Sequence, residues 1–285
     1  MKTRALAMMG LMLGILAACG GSGGAVTTGS DAGSGPGSGT TSGTDAGSNA
    51  ADAGTGTGVQ PYKLSGLTVD TKGAAIAGAD LKVCNPLYFA SCMHGATGAD
   101  GRFSFDLPPG NVWEVEASIQ KIFDGRNYCL DLKPDATAHF SSEAGAIRNF
   151  AWTISGLRPD AIDTKAYTAY YGGVAAVAVG DFNRPVTLDY VQLHFVPAGP
   201  VVDGSAAQAF SANAVDWAEF KIGNIPLAPY TVTAEYAQPG MAKSPLLVST
   251  TSGATPASSP TIHFDPDSPG VCVGWPTGWV NVYFP

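Results

Sequence analysis

Charge is what this chain has least of. Asp, Glu, Lys and Arg make up 13% of its 285 residues, about half the quarter usual in globular proteins. Only 15 of these are basic and 23 are acidic, giving a formal net charge of −8. A nucleic-acid surface needs clustered Lys and Arg to neutralise phosphates, so no nucleic-acid partner is expected. Long apolar runs are missing as well. The stretch beginning at Ala5 holds about eleven apolar residues, too few to cross roughly 30 Å of hydrocarbon. No convincing amphipathic helix is found. There is no His-Glu-x-x-His and no phosphate loop. The Gly-Ser-rich runs lie in a low-complexity stretch, where no nucleophile elbow or fixed oxyanion hole can form. The expectation is a protein that is not an enzyme and carries no cofactor.

Two features are present in excess: 37 glycines and 20 prolines, unevenly spread. The N-terminus reads MKTR, then ALAMMGLMLGI, then LAAC. Lys2 and Arg4 supply a basic start, the apolar stretch follows, and small residues precede Cys19. This order resembles the signal and lipobox of bacterial lipoproteins. The resemblance implies that residues 1–18 are removed and that Cys19 is lipidated, with acyl chains such as palmitate anchoring the chain to a membrane. Each buried methylene contributes about 0.8 kcal/mol to such an anchor. Gly20 stands where, in Gram-negative lipoproteins, a residue other than Asp implies passage to the outer membrane.

Residues 19–59 carry that cysteine and a run of Gly, Ser, Thr, Ala and Asp with no aromatic residue. Such a segment cannot bury enough apolar surface to offset the entropy of ordering. It is expected to be a disordered tether with a reach of roughly 35 Å.

From residue 60 the composition changes. KLSGLTVD, ADLKVC, RFSFDL, WEVEASI, NFAWTI, DYVQLHFV, AEFKIGNI and YTVTAEY are short, and most alternate apolar with polar residues. They are bounded by Gly, Pro, Asp or Asn and read as strands of an all-β sandwich architecture. SGLTVDTKGAAIAGADLKVC followed by TGADGRFSFDLPPGNVWEVEAS is similar to the carboxypeptidase regulatory-like (transthyretin-like) β-sandwich. Gly66, Gly73, Ile76, Gly78, Ala79, Gly101, Phe103, Phe105, Leu107, Pro108, Gly110 and Val115 match that family's pattern, with Trp113 at its aromatic position. Gly98 departs from it, standing where the family often has Asp. The resemblance implies a fold and is nearly silent on function, because this sandwich serves as a scaffold in many settings.

A second copy is visible further on. DWAEFKIGNIPLAPYTVTAEY parallels DGRFSFDLPPGNVWEVEAS, with Phe105 corresponding to Ile222, Pro108 to Pro226, Trp113 to Tyr230 and Val115 to Val232. Two tandem transthyretin-like or immunoglobulin-like β-sandwiches are expected, over residues 60–148 and 149–285.

Four cysteines remain after Cys19. An even number in an exported chain suggests two disulfides, with three connectivities available. Cys84–Cys92 with Cys129–Cys272 is the preferred set, the first closing a short loop and the second tying the first sandwich to the C-terminal segment. No close Cys-x2-Cys pair supports zinc, and no metal is assigned. His94, His139, His194 and His263 are scattered along the chain, and His194 alternates with Leu193 and Phe195, which turns it to solvent or a polar pocket. Asp265 and Asp267 could offer oxygens to calcium, but an Asp-Pro-Ser turn is the commoner cause of such a pair. Asp100–Gly101 reads as a hairpin tip rather than a metal loop. Trp275 and Trp279 are candidate stacking residues for a glycan if exposed together, and otherwise belong to a final strand pair packed in the second sandwich. The partners expected are the membrane, through the lipid, and a glycan or protein ligand, for a non-enzymatic role in binding, adhesion or envelope structure; the alternatives are a surface carbohydrate-binding module and an enzyme with its site between the two sandwiches.

Overall fold

A computed structural model of the chain describes residues 58–88, 91–251, 253–266, 272 and 275–285. Cys19, the export segment, nearly all of the tether and Asp267 lie outside the described residues. The fold is all-β. The described helical turns are three-residue 3-10 segments.

The first half contains β1 (Lys63–Val69), β2 (Asp80–Cys84), β3 (Cys92–Ala96), β4 (Arg102–Asp106), β5 (Val112–Phe123) and β6 (Arg126–Asp131). One sheet places β4 antiparallel to β1, with residues 146–147 and 150–151 running parallel along the other side of β1. The facing sheet has the order β3-β2-β5-β6. Alternation decides which side chains enter the core: Leu81 and Val83 of β2, Phe103 of β4 and Trp113, Ala117 and Ile119 of β5 are all buried. That core extends to Phe150 and Trp152, past the boundary expected at residue 148. NFAWTI supplies only the two-residue pairing Phe150–Ala151, not a full strand.

The second half contains β7 (Gly173–Val179), β8 (Val191–Pro197), β9 (Phe210–Asn213), β10 (Lys221–Ile225), β11 (Tyr230–Tyr236), β12 (Ser244–Ser249) and β13 (Thr277–Tyr283). Its pairings repeat those of the first half with the strand number raised by six. β10 lies antiparallel to β7 as β4 does to β1, and β9-β8-β11-β12 follows the order of β3-β2-β5-β6. β13 runs parallel to β7, as the 146–151 segment does to β1. β12 also pairs with β13, which joins the two layers of the second half into one continuous sheet, whereas in the first half only the short segment 133–134 after β6 pairs with 150–151. AEFKIGNI begins in a 3-10 turn over Ala218–Phe220 and becomes strand only at Lys221.

The repeated aromatic shows why the motif recurs. Trp113 and Tyr230 are both buried. Each polar atom must then find a partner. Trp113 Nε1 donates to Ser142 Oγ at 3.0 Å, and that hydroxyl donates to the Pro108 carbonyl at 2.6 Å. Tyr230 OH reaches the Pro226 carbonyl directly at 3.0 Å. Both copies thus fasten the aromatic to the proline of the turn that follows the preceding strand.

The Asp100–Gly101 turn is structural. Gly101 has φ +73°, and a Cβ there would lie 2.7 Å from the Thr68 carbonyl oxygen. Asp100 Oδ1 accepts the Arg102 amide at 3.1 Å.

The two cores meet through β6. Tyr128, on β6 of the first half, packs in the second core and donates its hydroxyl to the Phe264 carbonyl at 2.5 Å. Burial of the ring keeps the phenol neutral and pushes its pKa up to about 12. Leu130 and Val202 touch both cores.

Candidate functional site

The four cysteines pair as Cys84–Cys92 and Cys129–Cys272. The first joins the ends of β2 and β3, where the cysteines are cross-strand partners. The second links β6 to the C-terminal segment. The tip of the β5–β6 hairpin adds a charge cluster to this seam. Asp124 binds Arg126 at 2.9 Å and His263 Nδ1 at 2.6 Å, and Arg126 also binds Asp265 at 2.7 Å. The Asp265 hydrogen bond holds the Arg126 guanidinium above its ordinary pKa. Asp265 is therefore an ion-pair partner, and its backbone bridges Thr277. Among the described residues, no group of three His, Cys, Asp or Glu side chains converges on a metal position.

Of the other histidines, His194 and His139 sit beside carboxylates. His194 lies between Ser211 Oγ at 2.7 Å and Glu235 at 3.5 Å. Lys243 also hydrogen-bonds Glu235 and holds that carboxyl below its usual range. His139 sits 3.4 Å from Glu114. His94 is exposed on β3, in register with Lys82.

A polar cavity of about 250 Å³ lies along the seam, lined by Glu114, Glu116, Asp131, Arg148, Arg158 and Asp160 among others. Its carboxylates already have basic partners. Glu116 meets Lys82 at 3.3 Å, and Arg158 meets Asp131 at 3.0 Å and Asp160 at 3.8 Å. Arg158 also stacks over Tyr171, 4.8 Å from its ring centre. Paired charges of this kind brace a seam.

The structure separates the two candidate stacking residues. Trp275 is half-buried, its indole donating to the Tyr170 carbonyl at 3.2 Å and its ring edge-on to Tyr167 at 5.8 Å. Trp279 is 54% exposed on the outer face of β13, while Val280 and Val282 point into the core. They do not form a shared platform.

A further opening lies in the second half, where β9 and β10 form the two ends of the rolled sheet. Among the described residues each is paired as a strand on one side only, to β8 and to β7. The gap between them is a groove of about 490 Å³, within the roughly 300–1,000 Å³ of ligand sites. Phe210 and Ala212 form one wall, Ile222, Gly223 and Asn224 the other, with Trp217 and Asp216 at one end. Phe210 is held by stacking on Phe195 at 4.6 Å. Asp216 has the Asn213 amide as its partner, at 2.9 Å. Backbone strain borders this groove. Glu219, Phe220 and Asn224 have φ of 56°, 55° and 62°, a region that side-chain-bearing residues seldom occupy and that concentrates at functional sites.

The first half closes the same position. There Phe105 of β4 lies over Gly95 of β3, its ring atom 2.8 Å from where a Cβ would stand. Register makes Ala212 the counterpart of Gly95, since Leu193 faces Ala212 as Leu81 faces Gly95. Ile222 is the counterpart of Phe105. A branched aliphatic facing a methyl thus replaces a ring lying on glycine, and the side of the sandwich stays open. None of these groove residues was a sequence-based candidate. The signal was the Phe105-to-Ile222 change in the aligned copies.

No family model and no curated protein matches the chain. Solved structures give distant likenesses. The Bacillus anthracis TIE protein is 12% identical with a TM-score of 0.27, covering 78% of this chain and 34% of that one. The chain therefore spans about a third of that protein's length. A shaft pilin SpaA mutant from Lactobacillus rhamnosus GG is 10% identical with a TM-score of 0.22, covering 65% of this chain and 93% of that one. A DUF3823 family protein from Bacteroides ovatus is 9% identical with a TM-score of 0.23, covering 71% and 98%. The likeness concerns the β-sandwich fold alone.

Proposed function

We propose that the chain is a lipid-anchored protein of the cell envelope. Lipid on Cys19 holds it to the outer membrane, residues 20–58 act as a tether, and the paired sandwiches are a non-enzymatic binding module. We assign both sandwiches to the carboxypeptidase regulatory-like type, on the matches from Gly66 to Val115 and their repeat from Ile222 to Val232. The observation that carries the reading is the pair of disulfides. Such bonds persist in oxidising compartments beyond the cytoplasm, and Cys129–Cys272 fastens one sandwich to the other. A binding role fits a rigid scaffold that leaves one side open.

Cell fractionation of the wild type and Cys19→Ser tests the anchor. The wild type is expected in the membrane fraction, and Cys19→Ser either in the soluble periplasmic fraction or retained as an unprocessed precursor. A processed Cys19→Ser chain that stays fully membrane-bound would overturn the assignment.

A further inference from the structure

We propose that the groove between β9 and β10 receives an extended, basic peptide segment of a partner protein, added as a strand to the free edge of β9. This names the partner class for the binding role above and rests on that reading. Its test uses purified chain, so the anchor can fail or hold independently.

The edge supplies the first reason. A free strand edge presents unpaired N–H and C=O groups, and proteins usually blunt it with Lys, Pro, a bulge or a covering element. β9 reads Phe-Ser-Ala-Asn, without Lys or Pro, and its pairing with β8 runs in register without a bulge. The lysine of β10 does not guard the gap. Lys221 Nζ bonds Glu219 at 2.7 Å and lies over the Tyr167 ring at 4.6 Å.

The shape supplies the second. An added strand sends alternate side chains to one face. Here that face is the apolar floor between Phe210, Ala212 and Ile222, which in the first half is filled by Phe105. The guest's inward residues would take the place of the missing ring. Main-chain hydrogen bonds would provide affinity and the floor selectivity, as in other strand-addition complexes.

Charge supplies the third. Asp216 is the charged residue lining the groove, and among the described residues its partner is an uncharged amide. The chain as a whole carries −8. A basic guest is attracted and another acidic copy is repelled.

The probe is a fluorescent eight-residue peptide of alternating Val with Lys or Thr, titrated by anisotropy against the full chain. Saturable binding below about 1 mM is expected. The double variant Ala212→Gly with Ile222→Phe copies the plug of the first half, so it is expected to fold, as confirmed by circular dichroism, and to bind about tenfold more weakly. Asp216→Asn weakens binding several-fold and flattens its salt dependence. A fully N-methylated peptide, unable to pair with an edge, does not bind. No binding by the wild type would overturn the proposal. So would equal binding by the plugged variant, the N-methylated peptide or a peptide with Glu in place of Lys. A concentration-dependent dimer abolished by the plug would assign the groove to a second copy and likewise overturn it.

Discussion

Tyr128, Tyr171 and Tyr230 are each buried, and burial pushes each phenol up to about 12. The unfolded chain has its tyrosines near pH 10. A raised folded pKa favours the neutral form, so this stability is fully present below pH 10 and is lost as pH rises from 10 through 12. Each tyrosine removes up to about 1.4 kcal/mol per pH unit in that window. Urea unfolding at pH 9 and pH 11 should show a clear fall in midpoint at the higher pH, with the rise in tyrosinate absorbance coinciding with unfolding. Ionisation of all tyrosines in a folded chain near pH 10 would contradict the burial. The same scale explains what a single residue hides. Phe105 and Ile222 are both apolar strand residues, and period-two reading treats them alike. Only their opposite neighbours, Gly95 and Ala212, decide whether the space is filled, and each lies on the preceding strand, outside the alternation of the strand being read.

At the scale of elements, β1 depends on Gly66. A Cβ there would lie 1.7 Å from the Arg148 carbonyl oxygen and 2.6 Å from the Phe103 ring. The parallel 146–151 segment can lie along β1 only because that position has no side chain. Gly66→Ala is expected to cost about 3 kcal/mol, the upper end of the usual overpacking range, by forcing two elements apart, read as a lowered thermal midpoint. The strands legible in sequence were those with clean alternation and a buried face, such as β2, β4, β5, β8 and β11. β3 was not, because Cys-Met-His-Gly-Ala is half exposed and lacks alternation. Nor was the extent of the 140–151 segment, whose two-residue pairings leave no period to detect. Strand pairing between layers, and hence the gap between β9 and β10, follows from long-range register that no local window contains.

For the whole molecule, the second half repeats the first, and the two are joined by Tyr128 in the second core and by Cys129–Cys272. Closing a loop of sequence separation 143 is worth about 4–5 kcal/mol on a chain-entropy model, against about 2–3 for Cys84–Cys92. Cys129→Ala with Cys272→Ala should therefore lower the unfolding midpoint more than Cys84→Ala with Cys92→Ala, measured in parallel by calorimetry. The reverse order would mean that the bond between the halves stabilises little. The proposed tether and anchor rest on the first 59 residues, and the proposed binding face on the register of the last hundred.

The most direct measurement is the intact mass of the protein extracted from membranes, taken before and after reduction and alkylation. The account predicts a chain beginning at Cys19, heavier than its sequence by the acyl groups on that residue, with no alkylated thiol before reduction and four after it. A chain that retains residues 1–18, an unmodified Cys19, or free thiols among Cys84, Cys92, Cys129 and Cys272 before reduction would contradict it.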